Sequence, residues 1–299
     1  MTGRDPVGSS VLRRTLLPAL PASRVAALRA IVAVFVLVDI VVIDGDVPGH
    51  AANAEYFRPM LLARLLHLPP VTEAGAHVLQ TVIVLGCVLG LLGWRPRLTG
   101  AVVGVAFGVW MLYSNSYGYI AHDHLALMVA VWVLPTVPAA SWRDDTPSEA
   151  AGWALRCIQL AVVATYFLSV LAKFLASGSV AAWADSAILA WAIIRRGTPW
   201  AAWLLHVPWV FVPAQWAAVA MELSSPLALF LRGRALYVLI AVFLGFHLST
   251  FLLLGIHFLP TAVCWAAFVP VERLRDTRAG RRLARLTAPV RPRAVSRAV

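Results

Sequence analysis

The sequence predicts an all-α, polytopic membrane protein: a bundle of about eight transmembrane helices with one further helix on its outer surface. Three observations lead to this fold class. The chain of 299 residues is 61% hydrophobic and 13% charged, whereas soluble domains are about 25% charged. Apolar runs of about 20 residues recur, each long enough to cross a hydrocarbon layer of about 30 Å as a helix. These runs are continuous rather than alternating, which favours helices over a β-barrel.

The predicted transmembrane domain is residues 25–270, between a basic arm, residues 1–24, and an arginine-rich tail, residues 271–299. Eight apolar runs are its predicted spans: 25–43, 74–93, 98–116, 123–140, 152–176, 209–231, 235–252 and 255–270. Segment 181–208 fits this count poorly, because it carries two adjacent arginines on the expected outer side. It is interpreted as re-entrant, or as holding one further crossing.

Positive charge is concentrated at the two ends of the chain. Residues 1–30 contain five arginines and one aspartate, and residues 271–299 contain nine arginines and two acidic residues. Basic flanks mark the cytoplasmic side of a membrane protein and attract anionic lipid headgroups. We therefore expect a multi-pass plasma-membrane protein with both termini in the cytoplasm. The loop 141–151 should also be cytoplasmic, yet it is net acidic.

Nucleic-acid binding is disfavoured, because no stacking aromatic residues interleave with the C-terminal arginines. The cysteines disfavour a thiol–disulfide enzyme. Cys87, Cys157 and Cys264 each stand alone in an apolar run, without a C-x-x-C pair, and such an enzyme needs closely placed thiols. They are interpreted as buried small hydrophobic residues.

The outer helix is predicted from PMLLARLLHLPP, which begins at Pro59 and follows the first span. Proline suits a first helical position, and the leucines share one face of the helix. An amphipathic helix of this kind lies in the membrane interface. Two roles stay open for it, anchoring the protein or roofing a pocket that lipids can enter.

The stretch YFLSVLAKFLASG, Tyr166–Gly178, places Lys173 inside an apolar span. It is the only lysine of the chain, against 24 arginines. Ionisable residues within spans are costly and are functional candidates by default. A lysine near the end of a span can instead extend its ammonium into the headgroups. Arginine does that equally well but cannot release its proton, whereas a desolvated lysine can act as a base. We therefore predict Lys173 as a catalytic base.

Other polar residues are expected at the depth of Lys173 when their position is counted along each helix at about 1.5 Å per residue. Asp39, His122 and His247 come from three other spans, which predicts a pocket in the outer half of the bilayer. We expect a neutral Lys173 beside His122. This requires Asp39 to be distant or paired elsewhere, since a close carboxylate keeps a lysine charged.

His124 and Tyr166 are further candidates for lining this pocket. Glu222 is placed deeper, towards the inner side, and is interpreted as a protonated hydrogen-bonding contact between helices. His122 and His124 are two residues apart and cannot face the same way on one helix. They therefore do not form a converging ligand set, and no metal site is predicted.

Four stretches together resemble a known family: AHDHLALM from Ala121, YFLSVLAKF from Tyr166, MELSSPLAL from Met221 and FHLSTFLLLGIHFLP from Phe246. In their order and spacing, over about residues 25–270, the chain resembles the vitamin K-dependent gamma-carboxylase family. The membrane part of that family is the horizontally transferred transmembrane (HTTM) domain, which is found in many bacterial proteins.

The resemblance implies that Lys173 is the base that deprotonates a quinol and that His122 assists it. The implied cofactor is a menaquinol or vitamin K-type quinol, and the implied activity is carboxylase-like lyase or oxygenating chemistry. It also implies a short bacterial-type member without the family's large soluble domain. Ser169 and Val170 depart from the family, which usually has a glycine before the lysine.

Three functions are kept from these observations. The first is quinol chemistry in the bilayer, with a membrane or soluble redox partner. The alternative is a non-catalytic membrane anchor or assembly subunit on the same scaffold. A transporter is disfavoured, because the chain shows no paired helices broken by glycine or proline in corresponding halves.

Overall fold

The computed structural model describes residues 17–277 and is built almost entirely from helices. The α-helices are α1 (Ala22–Val38), α2 (Leu61–Leu65), α3 (Glu73–Leu91), α4 (Pro96–Ser114), α5 (Leu125–Val133), α6 (Glu149–Ser177), α7 (Val180–Ala184), α8 (Ile188–Arg196), α9 (Phe211–Ser224), α10 (Gly233–Leu254) and α11 (Leu259–Cys264). A π-helical turn, Asp39–Ile43, extends α1. The 3-10 segments are Val47–Tyr56, His122–His124, Leu134–Thr136, Ala202–His206, Pro208–Val210, Ser225–Leu229, Trp265–Phe268 and Val271–Asp276. The all-α membrane class is confirmed.

Within residues 17–277, five helices are long and apolar enough to cross a membrane: Ala22–Ile43, Glu73–Leu91, Pro96–Ser114, Glu149–Ser177 and Gly233–Leu254. The spans predicted at 123–140, 209–231 and 255–270 contain α-helices of only nine, 14 and six residues. Pro135 and Pro226 follow the first two of these helices, and proline disfavours continuation of an α-helix. The count of eight crossings is therefore not confirmed.

Helix α6, which carries Lys173, has clear signals at both ends. The Ser148 hydroxyl accepts a hydrogen bond from the Ala151 amide at 3.2 Å, which satisfies one of the free amides of the first turn. Gly178 ends the helix with a φ of +77°, a conformation that glycine adopts without steric cost. The result is a continuous helix of 29 residues.

Close contacts in the bundle use small residues. The most extensive contacts join α3 to α4, α5 to α6 and α1 to α3. A Cβ atom on Gly86 of α3 would lie 2.6 Å from the Val103 side chain of α4, and one on Gly104 would lie 3.1 Å from the Trp132 ring. Glycine at such positions lets membrane helices approach closely enough to pack by van der Waals contact.

The two ends of the described chain meet at one end of the bundle. Two short strands, β1 (Leu20–Pro21) and β2 (Pro147–Ser148), pair antiparallel there. Arg24 donates two hydrogen bonds to the Glu272 carboxylate, at 2.7 and 2.9 Å. This bidentate pair joins the beginning of α1 to the segment after α11, and bidentate geometry makes it one of the stronger kinds of ion pair.

The net negative charge of the loop 141–151 is explained by its contacts at the same end of the bundle. Asp145 accepts hydrogen bonds from the Ser23 hydroxyl at 2.8 Å and from the Arg275 guanidinium. The bond from Arg275, which has the larger effect, and the bond from Ser23 both lower the pKa of Asp145. The negative charge of the loop therefore pairs with arginine of the C-terminal segment.

Gly152 in the first turn of α6 is the tightest of these small-residue contacts. A Cβ atom there would lie 1.7 Å from the Pro18 carbonyl oxygen, which is backbone and cannot rotate away. We expect Gly152→Ala to displace residues 17–21 and to destabilise the protein by about 1–3 kcal/mol, the usual range for overpacking. The measurement is the apparent melting temperature in detergent.

The matched control is Gly245→Ala in α10, where an added Cβ would meet no atom within 4 Å. Alanine is the better helix former by about 1 kcal/mol, so this variant should melt at the same temperature as the wild type or higher. A Gly152→Ala variant that melts like the control would contradict the close contact.

Helix α2 supports the interfacial interpretation. Its leucines are exposed, whereas Ala63 is buried against the bundle. The helix is shorter than predicted because His67 takes a φ of +52° soon after its end. An apolar face turned away from the protein suits a membrane interface.

Segment 181–208 contains no crossing helix. Its longest helix, α8, has nine residues and rises about 14 Å, about half of the thickness to be crossed. Its tryptophans are exposed, at Trp191, Trp200 and Trp203, and tryptophan concentrates at membrane interfaces. A further crossing within this segment is therefore not supported, and the re-entrant interpretation stays a prediction.

Candidate functional site

A cavity of about 620 Å³ lies between α6, α8, α9 and α10. Its size falls within the range of about 300–1,000 Å³ that is typical of small-molecule sites. Most of its wall is apolar. The polar residues that matter chemically are His122, Tyr166, Ser169, Lys173, Glu222 and His247.

Lys173 and Glu222 form an ion pair on the cavity wall. The Lys173 Nζ donates to both carboxylate oxygens of Glu222, at 2.7 and 2.8 Å. The Lys173 side chain is 14% exposed and that of Glu222 is 7% exposed. The pair joins α6 to α9 across 49 residues of sequence. Its net charge is zero, which is what a low-dielectric wall tolerates best.

Two further residues complete the surroundings of the ammonium. The Ser169 hydroxyl, one turn before Lys173, accepts a bond from Nζ at 2.7 Å and donates to Glu222 at 3.0 Å. Trp183 of α7 lies with its ring centre 5.0 Å from Nζ, within the range of a cation–π contact. The lysine is thus held by three partners of different chemistry.

This arrangement corrects two expectations. Glu222 is not a deeper, separate contact, since its carboxylate touches Lys173 directly. Lys173 is therefore not a lone amine beside His122. The close carboxylate that would hold the lysine charged is present, but it belongs to Glu222 rather than to Asp39. Glu222 does join two helices, through its contact with Lys173.

Tyr166 and His247 form a second polar group on the wall, about two helix turns from Lys173 along α6. The Tyr166 hydroxyl lies 2.6 Å from His247 Nε2, and the Trp265 indole donates to the Tyr166 oxygen at 3.0 Å. Both residues line the cavity as expected, at 4% and 8% exposure. The chain of three residues links α6, α10 and the 3-10 segment after α11.

His122 also lines the cavity, but it is an exposed residue. Its ring lies edge-on to Phe258, with 6.1 Å between the ring centres. No hydrogen bond joins His122 to Lys173 in the described structure. His122 therefore belongs to the same cavity as Lys173, although Glu222, not His122, is the direct partner of the lysine.

Asp39 and His124 do not line this cavity and instead form a separate buried cluster. His124 Nε2 lies 3.1 Å from both oxygens of Asp39, and Nδ1 lies 3.3 Å from Asp123. Asp39 is completely buried. Since both ring nitrogens face carboxylates, which only accept when ionised, the geometry suits a doubly protonated imidazole. The expectation that Asp39 and His124 line the pocket is wrong.

A hydrogen bond joins the cluster to the cavity wall. The Thr261 hydroxyl, which lines the cavity, donates to the Asp123 backbone oxygen at 2.6 Å. On its other side Asp44 accepts from Ser114 at 2.9 Å, and burial raises the pKa of Asp44. The acidic side chains of this region are thus each held by a specific donor.

Gln215 lines the cavity and holds the turn between α7 and α8 in place. Its side-chain nitrogen donates to the Ala184 and Ser186 carbonyls at 2.6 and 2.9 Å, and its oxygen accepts from the Leu189 amide at 2.8 Å. It is 2% exposed. One side chain therefore forms hydrogen bonds with backbone groups at the end of α7 and the start of α8, which would otherwise lack partners.

Some residues of the site were not found from the sequence. Ser169 shares a helix face with Lys173 at a spacing of four, which was a usable signal. Gln215, a polar residue within an apolar run, was another. No sequence signal places Trp265 beside Tyr166, because 99 residues separate them. No group of three or more His, Cys, Asp or Glu side chains in residues 17–277 is arranged to hold a metal ion.

The long apolar helices and the buried ionic side chains define an integral membrane protein of the all-helical class. The HTTM domain family matches residues 19–271, which is most of the chain, and the chain belongs to this family. No curated protein and no solved structure matches it.

Proposed function

We propose that the protein binds a quinol, or a similar lipid-soluble hydroxyaromatic molecule, in the cavity, and that the Lys173–Glu222 pair accepts its proton. The observation that carries this proposal is an ion pair on the wall of a largely apolar cavity of about 620 Å³. The family resemblance, which implies Lys173 as a quinol base, supports it independently of the geometry.

A purely structural role explains the ion pair less well. Well-packed hydrophobic residues in place of a buried ion pair are often as stable or more stable, so stability alone does not favour keeping the charges. In a membrane protein, ionisable residues facing a cavity mark functional sites. Here both charged groups border a space large enough for a ligand.

The site favours a neutral ligand with a polar end. The ion pair has no net charge, so it attracts neither an anion nor a cation strongly. The remaining wall is lined by residues such as Leu189, Met221 and Phe246, which suit a ring or an isoprenoid chain. Quinol hydroxyls can donate to Glu222 and accept from Lys173, so the residues present fit such a group.

Proton uptake leaves the total charge unchanged. Lys173 first passes its own proton to Glu222, and the free amine then takes the hydroxyl proton. The step ends with an ammonium at Lys173, a carboxylic acid at Glu222 and one negative charge on the ligand oxygen. The ammonium then faces that oxygen, and opposite charges in an apolar site attract strongly.

When bound, a quinol would supply the electrons for reaction with dioxygen. The carboxylase-like lyase or oxygenating activity implied by the resemblance is part of this proposal, as is a membrane or soluble redox partner. His122, exposed at the cavity, is proposed to assist. A non-catalytic anchor or assembly subunit is the outcome if no quinol binds.

Ligand binding is the direct test. Menadiol, kept reduced without oxygen, should raise the apparent melting temperature of the detergent-purified protein. A ligand present at 100 times its dissociation constant raises the free energy of unfolding by about 2.7 kcal/mol.

The Lys173→Arg variant should still bind menadiol, because arginine can pair with Glu222. Its quinol-linked activity should fall at least tenfold, since arginine releases no proton.

The control exchange is Arg195→Lys at an exposed position on α8, which should change neither binding nor activity. Mass spectrometry of the purified wild type should also detect a co-purified quinone. Absence of both a co-purified quinone and a menadiol-dependent shift would refute the proposal.

We also propose that the protein lies in the plasma membrane with both termini in the cytoplasm. The meeting of residues 20–24 with residues 147–148 and 271–276 at one end of the bundle supports a common side for the two termini. The arginines near both ends support the cytoplasmic side.

Labelling single cysteines placed at positions 10 and 290, in a background without Cys87, Cys157 and Cys264, is the measurement. A membrane-impermeant maleimide should label neither position in intact cells and both after permeabilisation. Labelling of either position from outside would contradict this orientation.

A further inference from the structure

An open groove runs along the surface between α4 and α5. It has a volume of about 660 Å³, and most of its wall is apolar. Leu98, Val105 and Trp132 line it and are exposed. Contiguous apolar surface that is left exposed marks a site of contact with a membrane or a partner. Since α4 is long and apolar enough to cross a membrane, the groove lies open to the lipid chains.

The groove suits a hydrocarbon chain in its chemistry and in its length. The Trp132 indole donates to the Gly104 carbonyl at 2.8 Å, so its one polar atom has a partner and the exposed ring is an apolar wall. From Arg97 at one end to Val105, α4 rises about 12 Å. The hydrocarbon of one leaflet is about 15 Å thick, half of the bilayer core. The groove therefore accommodates most of the length of one acyl chain.

Positive charge lies at the Arg97 end of the groove. Arg97 is exposed, and its side chain forms no hydrogen bond or ion pair within residues 17–277. Arg29 of α1 lines a small cavity of about 60 Å³, which shares Val131 and Pro135 with the groove. The guanidinium groups of Arg29 and Arg97 repel each other. Neither has a carboxylate partner in the described part of the chain, so this end of the groove is positively charged.

The partners of Arg29 leave its charge in place. Its guanidinium donates to the carbonyl oxygens of Leu134, Val137 and Pro138, at 2.8, 2.5 and 3.2 Å. A carbonyl oxygen accepts the hydrogen bond but is neutral, so it does not cancel the charge. The start of α4 adds to it, because a helix N-terminus is partly positive and this one has neither a side-chain cap nor an acidic residue in its first turn. An anionic group is therefore attracted to this end of the groove.

We propose that the groove binds a phospholipid of net negative charge. Its phosphate pairs with Arg97, and one acyl chain lies against Ala101 and Trp132. Arginine presents a planar fork of donors that matches phosphate, and basic pockets beside transmembrane helices bind anionic headgroups. A soluble phosphate compound fits less well, since it would leave the apolar wall without a partner. The groove shares no lining residue with the cavity proposed to bind a quinol, so this inference is independent of the proposed function.

Arg234 separates this inference from the general preference for arginine on the cytoplasmic side of membrane proteins. Like Arg97, it is the exposed second residue of a long helix whose start has no side-chain cap and no acidic residue in its first turn. Unlike Arg97, it does not line the groove. An effect found at Arg97 but not at Arg234 therefore depends on the groove and not on the charge alone.

The test is photo-crosslinking of the full-length protein in phosphatidylcholine vesicles. The vesicles contain a trace of phosphatidylglycerol, or of phosphatidylcholine, with a photoactivatable diazirine on one acyl chain. Mass spectrometry compares the label on residues 98–105, beside Arg97, with the label on residues 235–242, beside Arg234. The anionic lipid should label residues 98–105 about fivefold more than the neutral lipid, the effect of one arginine on an anionic lipid. Residues 235–242 should show a smaller preference, because no groove holds a lipid against Arg234.

Three variants assign the preference to the groove. Arg97→Gln should remove it at residues 98–105, and Arg97→Lys should keep most of it because the charge remains. Arg234→Gln should leave it unchanged. Since the Arg97 side chain has no partner within residues 17–277, its variants should melt at the wild-type temperature. Unlabelled phosphatidylglycerol should suppress the label, whereas glycerol 3-phosphate, which has the phosphate without acyl chains, should not.

Equal labelling of residues 98–105 by the two lipids in the wild type would overturn the inference, as would a preference that survives in Arg97→Gln. A preference of the same size at residues 235–242, lost in Arg234→Gln, would show an effect of charge alone and would overturn the role of the groove. Suppression by glycerol 3-phosphate would show a site for soluble phosphate compounds and would overturn the lipid as its ligand. Each of these results leaves the proposed quinol site untouched.

Discussion

Glu222→Gln is expected to lower the stability of the protein by about 3–5 kcal/mol, the usual effect of removing one partner of a buried ion pair. The variant leaves the Lys173 ammonium on an apolar wall without its carboxylate, at 14% side-chain exposure. It also removes the group that accepts the proton of Lys173, so quinol-linked activity should be lost. Apparent melting temperature and reversible denaturant unfolding in detergent measure the first effect.

A double variant separates stability from function. Lys173→Met with Glu222→Leu removes both charges and should regain most of the stability, because hydrophobic replacements of buried ion pairs are often neutral or stabilising. Its quinol-linked activity should stay absent. Glu73→Gln, at a side chain that is 78% exposed, is the control and should change stability by no more than about 0.5 kcal/mol. A stable, active Glu222→Gln would contradict the ion pair.

Asp39→Leu is expected to lower stability by a similar amount, about 3–5 kcal/mol. Asp39 is completely buried, and both of its oxygens lie 3.1 Å from His124 Nε2. Without Asp39, Asp123 is the remaining carboxylate partner of the His124 imidazole. The contact between the end of α1 and the segment before α5 is then lost. Menadiol binding per folded molecule should be nearly unchanged, because Asp39 does not line the cavity.

Asp46→Leu is the matched control for this prediction. Asp46 follows α1 closely, but its side chain is 70% exposed and pairs with the neighbouring His50. Surface ion pairs contribute about 0–1 kcal/mol, so its loss should have little effect. If Asp39→Leu behaves like Asp46→Leu, or weakens menadiol binding at unchanged stability, the separate structural cluster is wrong.

The sequence was sufficient for the fold class, and it singled out one charged residue that lines the cavity. Hydropathy closely predicted the five long helices of residues 17–277, because a backbone in lipid has few alternatives to a helix. The lone Lys173 was singled out by charge within an apolar run. His122, Tyr166 and His247 line the same cavity as Lys173, and depth along continuous helices follows from residue counts.

The same counting failed where the chain departs from continuous helices. Glu222 follows the broken segment 178–210 and lies in a helix of only 14 residues, so its depth could not be read from the sequence. Asp39 and His124 were assigned to the pocket by depth alone. Depth does not tell which way a side chain faces around the helix axis, and here both face each other. Which side chains pair across 49 or 85 residues of sequence depends on how the helices pack against each other.

Photo-crosslinking with an azido-naphthoquinone tests the central claim, that this cavity binds a quinone-type ligand, most directly. After illumination of the membrane-embedded protein, mass spectrometry should find the label on peptides that contain Tyr166–Lys173, Phe211–Glu222 or Phe246–Leu254. Excess menadione should suppress it. Labelling spread over the exposed leucines of α2 and other lipid-facing residues, and unaffected by menadione, would contradict a quinone site in this cavity.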